Sequence, residues 1–152
     1  MSLLSALLRR TQPLRSPPAR TRARLQLALL EDRTVPATLT WIGGAMGNNN
    51  WSTSGNWNDG GMNTTVPSSN ADVLVFNGSA STFTSNNDIP GLTVSEIQLS
   101  FPGYTITGTQ PVTVVTAVTD STPVGSSAIS LSIDGAGTLT KSGGADLILS
   151  GA

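Results

Sequence analysis

The chain is 152 residues long, contains neither cysteine nor histidine, and carries a formal net charge of −1. That length suits one ordinary domain, and the missing residue types exclude disulfide staples, thiolate chemistry, Ser-His-Asp and Cys-His catalysis, and the usual zinc sites. The charge averages two unlike parts. Arg9, Arg10, Arg15, Arg20, Arg22, Arg24 and Arg33 against Glu31 and Asp32 give the first 33 residues +5; Lys141 against Asp59, Asp72, Asp88, Glu96, Asp120, Asp134 and Asp146 gives the remainder −6. The body therefore lacks the basic surface that nucleic-acid phosphates require, and nucleic acid is not an expected partner.

Residues 1–37 read as a basic, proline-punctuated leader. Its opening, MSLLSALLRR, has two short leucine clusters, less than a signal-peptide core, and no run approaches the roughly 18–20 apolar residues of a membrane span. Pro13, Pro17 and Pro18 break the next stretch. Residues 19–33 are long enough for about four helical turns before Pro36, with Leu25 and Leu29 on one face. On these features a solvated tail with a frayed helix and a targeting segment stand level. LALLEDRTVPATLTW (27–41) resembles the N-terminal Leu-Glu-x-Arg motif (the LEPR-XLL type) at the front of large exported bacterial surface proteins. Leu30, Glu31 and Arg33 match; Asp32 stands where proline is commoner, and Val35-Pro36-Ala37 replaces the usual apolar run. The resemblance implies export, with the export machinery as the leader's partner and an extracellular or cell-surface destination.

From residue 38 onward Thr, Ser, Asn, Gly and Val dominate while Glu and Lys nearly vanish, which depletes helix formers and enriches strand and turn formers. An all-β body follows. Residues 38–103 hold every tryptophan of the chain, Trp41, Trp51 and Trp57, then an apolar run Val73–Phe76 bounded by Asp72 and Asn77-Gly78 that reads as a strand. The order and spacing of Trp41, Trp51, Trp57, Pro67, Asp72 and Phe76 resemble the module that opens passenger-type proteins with autotransporter-associated β-strand repeats, and imply a Trp-rich β cap.

Residues 104–152 carry a repeat. GAGTLTKS (135–142) aligns with GGADLILS (143–150), so that Gly135 matches Gly143 and Leu139 matches Leu147, and Leu131 falls in the same column one period earlier. Ile129, Leu131 and Ile133 alternate with serines, as one buried and one solvated face require. An eight-residue beat of strand and glycine turn predicts short stacked strands with Leu131, Leu139 and Leu147 in one interior ladder, Thr138 and Thr140 outward, and Gly135 and Gly143 at corners where positive φ is free of strain. These repeats also resemble the autotransporter-associated repeat itself, which implies a right-handed parallel β-helix; an antiparallel β-sandwich is the alternative. After barely three beats the last strand edge lies open, as expected of part of a longer protein.

No catalytic, metal-binding or cofactor-binding set emerges. Asp72, Asp88, Glu96 and Asp134 are the carboxylates available for a glycosidase pair, and nothing in their spacing joins two of them. Asn48–Asn50 with Asp59 offers oxygen ligands but too little charge for more than weak calcium binding. Two roles remain for Trp41, Trp51 and Trp57: a buried plug on the first turn of the helix, or indole faces that stack on sugars, with Asn49, Asn50, Asn56 and Asn58 bonding hydroxyls. The expected function is a non-catalytic passenger segment in adhesion or cell-envelope contact, touching surface polysaccharide or other cells; the alternatives are a glycan-binding module and a polysaccharide-degrading fragment.

Overall fold

A computed structural model of the chain describes residues 36–61 and 65–151; the leader with Leu30, Glu31 and Arg33 lies outside the described residues. The body opens with β1 (Thr38–Trp41), a single 3-10 turn (Ser54–Asn56) and β2 (Trp57–Asn58). Two series of strands then alternate: β3 (Val73–Phe76), β5 (Thr93–Leu99), β7 (Val112–Asp120) and β10 (Thr138–Lys141) in one sheet, and β4 (Thr84–Asn87), β6 (Thr105–Gly108), β8 (Ser126–Ile129) and β11 (Asp146–Leu149) in the other. A short β9 (Ile133–Asp134) pairs with the start of β7. Each strand lies parallel to the one a full turn earlier; among the described residues only the β1–β2 pair is antiparallel. This is a β-solenoid of about four turns. Parallel pairing of strands separated by a full turn is incompatible with the antiparallel sandwich.

Strands of four residues are unstable alone, and stacking makes them cooperative. Leu39 pairs with Leu74, Leu74 with Ile97, Ile97 with Val118, and Val118 with Leu139. The first four are at most 6% exposed, and each such side chain contributes about 1.5–3 kcal/mol when fully buried. A second inward column runs Phe76, Leu99, Asp120, Lys141, and the facing sheet contributes Ser85, Ile106, Ile129 and, through the β8–β11 register, Leu149.

The expected leucine ladder is corrected here. Ile97, Val118 and Leu139 lie 21 residues apart (118 − 97 and 139 − 118), so one coil takes about twenty-one residues rather than eight. Eight residues carry the chain from one sheet to the other: Leu139 sits on β10, Leu147 on β11 beside Ser127, and Leu131 in the turn between β8 and β9. Leu139 does belong to an interior column, but Val118, Ile97, Leu74 and Leu39 are its members. It is 53% exposed because it stands in the last described coil. The glycines divide. Gly135 has φ +111°, a left-handed corner, whereas at Gly143 a Cβ would overlap the Thr122 carbonyl of the coil beneath. The boundary expected at 103/104 also falls inside one coil, between β5 and β6, and the described residues all belong to one compact unit.

Candidate functional site

The two ends of the solenoid differ, and its distinctive side chains gather there. At the N-terminal end Trp41, Trp51 and Trp57 are fully buried. Trp57 meets Trp41 edge to face at 5.2 Å and Trp51 at 5.8 Å, and Trp41 stacks on Phe76 at 6.3 Å and 29°. Phe76 continues edge to face onto Tyr104 at 5.2 Å. Trp41 Nε1 donates to the Thr82 carbonyl and Trp57 Nε1 to the Trp51 carbonyl, at 2.8 and 2.9 Å; the buried Trp51 Nε1 has no acceptor. Edge-to-face ring pairs of this kind add to the burial itself. The indoles therefore offer no face to a sugar, which corrects the glycan-stacking assignment of Trp41, Trp51 and Trp57: the plug is what forms.

The loop around the plug closes both N-terminal sheet edges. β2 pairs with β1, setting Trp57 against Trp41. On the facing sheet Asn50 bridges to Asn86, with Trp51 N–H donating to the Asn86 carbonyl and Asn86 N–H to the Asn49 carbonyl. Asn56 holds this loop. It is fully buried, its Oδ1 accepts from Ala45 N–H, and its Nδ2 donates to the Asn48 and Asn50 carbonyls. Asn48 Oδ1 caps Asn50 N–H and Asn50 Oδ1 accepts from Asn86. These amides are occupied in building the loop, as an Asn-rich turn predicts.

The carboxylates have separate structural partners. Asp72, 2% exposed, accepts from the backbone N–H groups of Ser68, Ser69 and Ala37, tying the loop before β3 to the start of β1. Asp88 accepts from Ser52 N–H and Oγ, and Glu96 from Thr119 Oγ1 on the outer face. Among the described residues no group of three or more Asp, Glu, His or Cys is placed to hold a metal, and no helix is long and apolar enough to cross a membrane. Burial raises the Tyr104 phenol well above its ordinary value of 10.0, and its hydroxyl donates to the Asn77 carbonyl at 2.6 Å.

Sequence reasoning missed the other polar feature of the core. Asp120, 1% exposed, continues the inward column of Phe76 and Leu99. Its Oδ1 accepts from Thr122 N–H, and its Oδ2 lies 3.5 Å from Nζ of Lys141, stacked directly on it in β10. The signal was present: Lys141 is the only basic residue beyond Arg33.

Among the described residues no plug covers the last coil. β10 and β11 are the last strands of their sheets. Leu139 and Leu149 are 53% and 51% exposed, and with Val114, Val118, Ile133 and Asp134 they line a cavity of about 160 Å³. No protein-family model matches this chain, nor does any curated protein or solved structure.

Proposed function

We propose that the chain is a non-catalytic, structural passenger segment of an exported cell-surface β-solenoid, delivered by its basic leader and acting in adhesion or cell-envelope contact. The burial of Trp41, Trp51 and Trp57 carries this reading. It removes the large indole faces from any ligand and uses them to close one end of a rod, which is the task of a starter module in a stacked-repeat protein. The likeness of the Trp spacing to passenger modules, and of Leu30, Glu31 and Arg33 to an export motif, supports the destination. Contact with surface polysaccharide or other cells would fall to the long outer faces, where Thr40, Val75, Gln98, Thr119 and Thr140 lie in register from coil to coil.

The test is surface exposure in a bacterial host. The full chain is expressed beside Leu30→Asp and Arg33→Glu variants, and intact cells are treated with protease. The wild-type chain is expected outside and the variants retained inside with their tryptophan emission unchanged. Wild-type chain that stays inside, or variants exported equally well, would overturn the reading.

A further inference from the structure

The role that burial denies to the indoles is open to a different aromatic. Phe101 lies in the corner between β5 and β6 and is 40% exposed. Its ring rests on the corner one coil earlier. It stacks on Phe83 at 5.4 Å and 17°, and a Cβ at Gly78 would stand 2.9 Å from its Cδ2. With one face held by Phe83 and a glycine beneath it, the ring keeps a fixed orientation while its remaining surface meets solvent. The next corner continues the strip: Gly125 approaches Pro102 closely, and Val124 is 68% exposed.

Polar groups run beside the ring. Ser100, Ser121 and Ser142 follow directly on Leu99, Asp120 and Lys141, which stack in register, and the N–H of each serine donates to a carbonyl one coil below. Three exposed serines therefore follow one another along the axis at the strand spacing of about 4.8 Å. The corners of this edge, residues 77–83, 100–104, 121–125 and 142–145, hold no charged residue, whereas the opposite edge carries Asp88 and Asp134.

We propose that this edge binds a neutral polysaccharide, with a sugar ring stacked on Phe101 and the glycan running along the solenoid axis over the serine column. The proposal rests on the reading of this chain as a surface segment that meets polysaccharide, and it gives that contact a site and a sugar class. The electron-rich face of a phenyl ring attracts the polarised C–H groups of a pyranose as it attracts the edge of a second ring, and fixed hydroxyls alongside orient the sugar. The strand repeat of about 4.8 Å is close to the length of one residue in an extended glycan, so successive sugars meet successive serines. Charge selects against other partners. Beyond Arg33 the chain carries −6 with Lys141 as its single base, which repels acidic glycans and the anionic surface of a membrane. Area selects against a protein. Phe101 exposes roughly 60–100 Å², where a stable protein partner covers about 800 Å²; a single sugar ring needs no more than the phenyl face.

Affinity electrophoresis of the full 152-residue chain through gels containing a neutral β-glucan, a neutral galactomannan or acidic alginate tests this. At least one neutral polymer should retard the chain, and alginate should not. Phe101→Ala should weaken that retardation roughly tenfold, whereas Phe101→Tyr, which keeps the ring, should preserve it. Ser121→Glu places a charge on the exposed serine column and should also weaken binding; it decides the matter if Phe101→Ala does not fold. Tryptophan emission from the buried plug reports folding of each variant. Purified chain needs no export for this measurement, so a failure here and a failure of the export reading are separate results. No retardation by either neutral polymer, retardation indifferent to both weakening substitutions in folded protein, retention by alginate, or co-sedimentation with phosphatidylglycerol vesicles overturns the proposal.

Discussion

Replacing one member of the Leu39–Leu74–Ile97–Val118–Leu139 column by alanine gives a cost that depends on its place in the stack. Ile97 is 1% exposed and lies between Leu74 and Val118. Ile97→Ala removes transfer energy and leaves a cavity that neighbours on both sides cannot fill, which costs about 2–5 kcal/mol. Leu139 has a neighbour on one side only and is 53% exposed. About half the burial of a leucine, roughly 1 kcal/mol, is at stake there, and the vacated volume opens to water rather than forming a void. Urea unfolding followed by tryptophan emission, at sub-micromolar protein, gives both values from the shift in midpoint at constant slope. The fluorophores sit in the N-terminal plug, so a loss at Ile97 that moves their transition also reports coupling between coils. Equal losses at the two positions, or a larger one at Leu139, would refute the twenty-one-residue column.

Iodide should barely quench the three indoles of the folded chain, and their emission should be blue-shifted; emission like that of free tryptophan would mean the plug does not form. Lys141→Met leaves the Asp120 carboxylate buried without its partner and should destabilise by about 1–3 kcal/mol, whereas Asp120→Leu with Lys141→Leu restores an apolar column and should come out near neutral or stabilising in the same urea assay. Tyr104, the chain's single tyrosine, should resist ionisation near pH 10 when followed by ultraviolet absorbance. Because its folded pKa is raised by burial, the unfolded chain loses the proton first. Stability is therefore complete below pH 10 and should fall by about 1.4 kcal/mol per pH unit above it, a loss that Tyr104→Phe abolishes. Gly143→Ala drives a methyl into the Thr122 carbonyl and should lower the urea midpoint, while Gly60→Ala, with open space around it, should cost only the strain of its positive φ.

The strand content of the body was legible because strand signals are local: the apolar run Val73–Phe76 forms a strand whose second and fourth residues, Leu74 and Phe76, are buried. The period was not. Gly135/Gly143 and Leu139/Leu147 form a true repeat in the sequence, yet it records passage from one sheet to the other, and only the register of β7 with β10 reveals which residues stack. Parallel neighbours are set by coil length, and coil length varies with the corner loops: Leu74 to Ile97 spans 23 residues (97 − 74) where Ile97 to Val118 spans 21. A bulge opposite Val94–Glu96 adds a further shift. The plug was legible as one of two readings of the same tryptophans, and no sequence pattern decides between indole faces turned inward and outward. Asn56 was offered as a sugar ligand and is a buried brace, because its three hydrogen bonds run to loop backbone that only the folded chain brings together.

The contrast between the ends follows from what each asks of its strands. In the middle of a solenoid every coil is covered by its neighbours, so Thr, Ser, Gln and Val serve equally on the outer faces and a short apolar residue suffices inside. A terminal coil has one uncovered side, and its apolar column and backbone edges must be met by something other than a coil. At the N-terminal end the chain meets that demand with its bulkiest side chains and a strand, β2, that runs against the prevailing direction and so cannot propagate the stack. At the C-terminal face Lys141 lies over Asp120, which keeps the carboxylate from standing unpaired, while Leu139 and Leu149 remain half exposed. The fold is polarised: one end is sealed against addition, and the other keeps the apolar, hydrogen-bonding character of an interior layer.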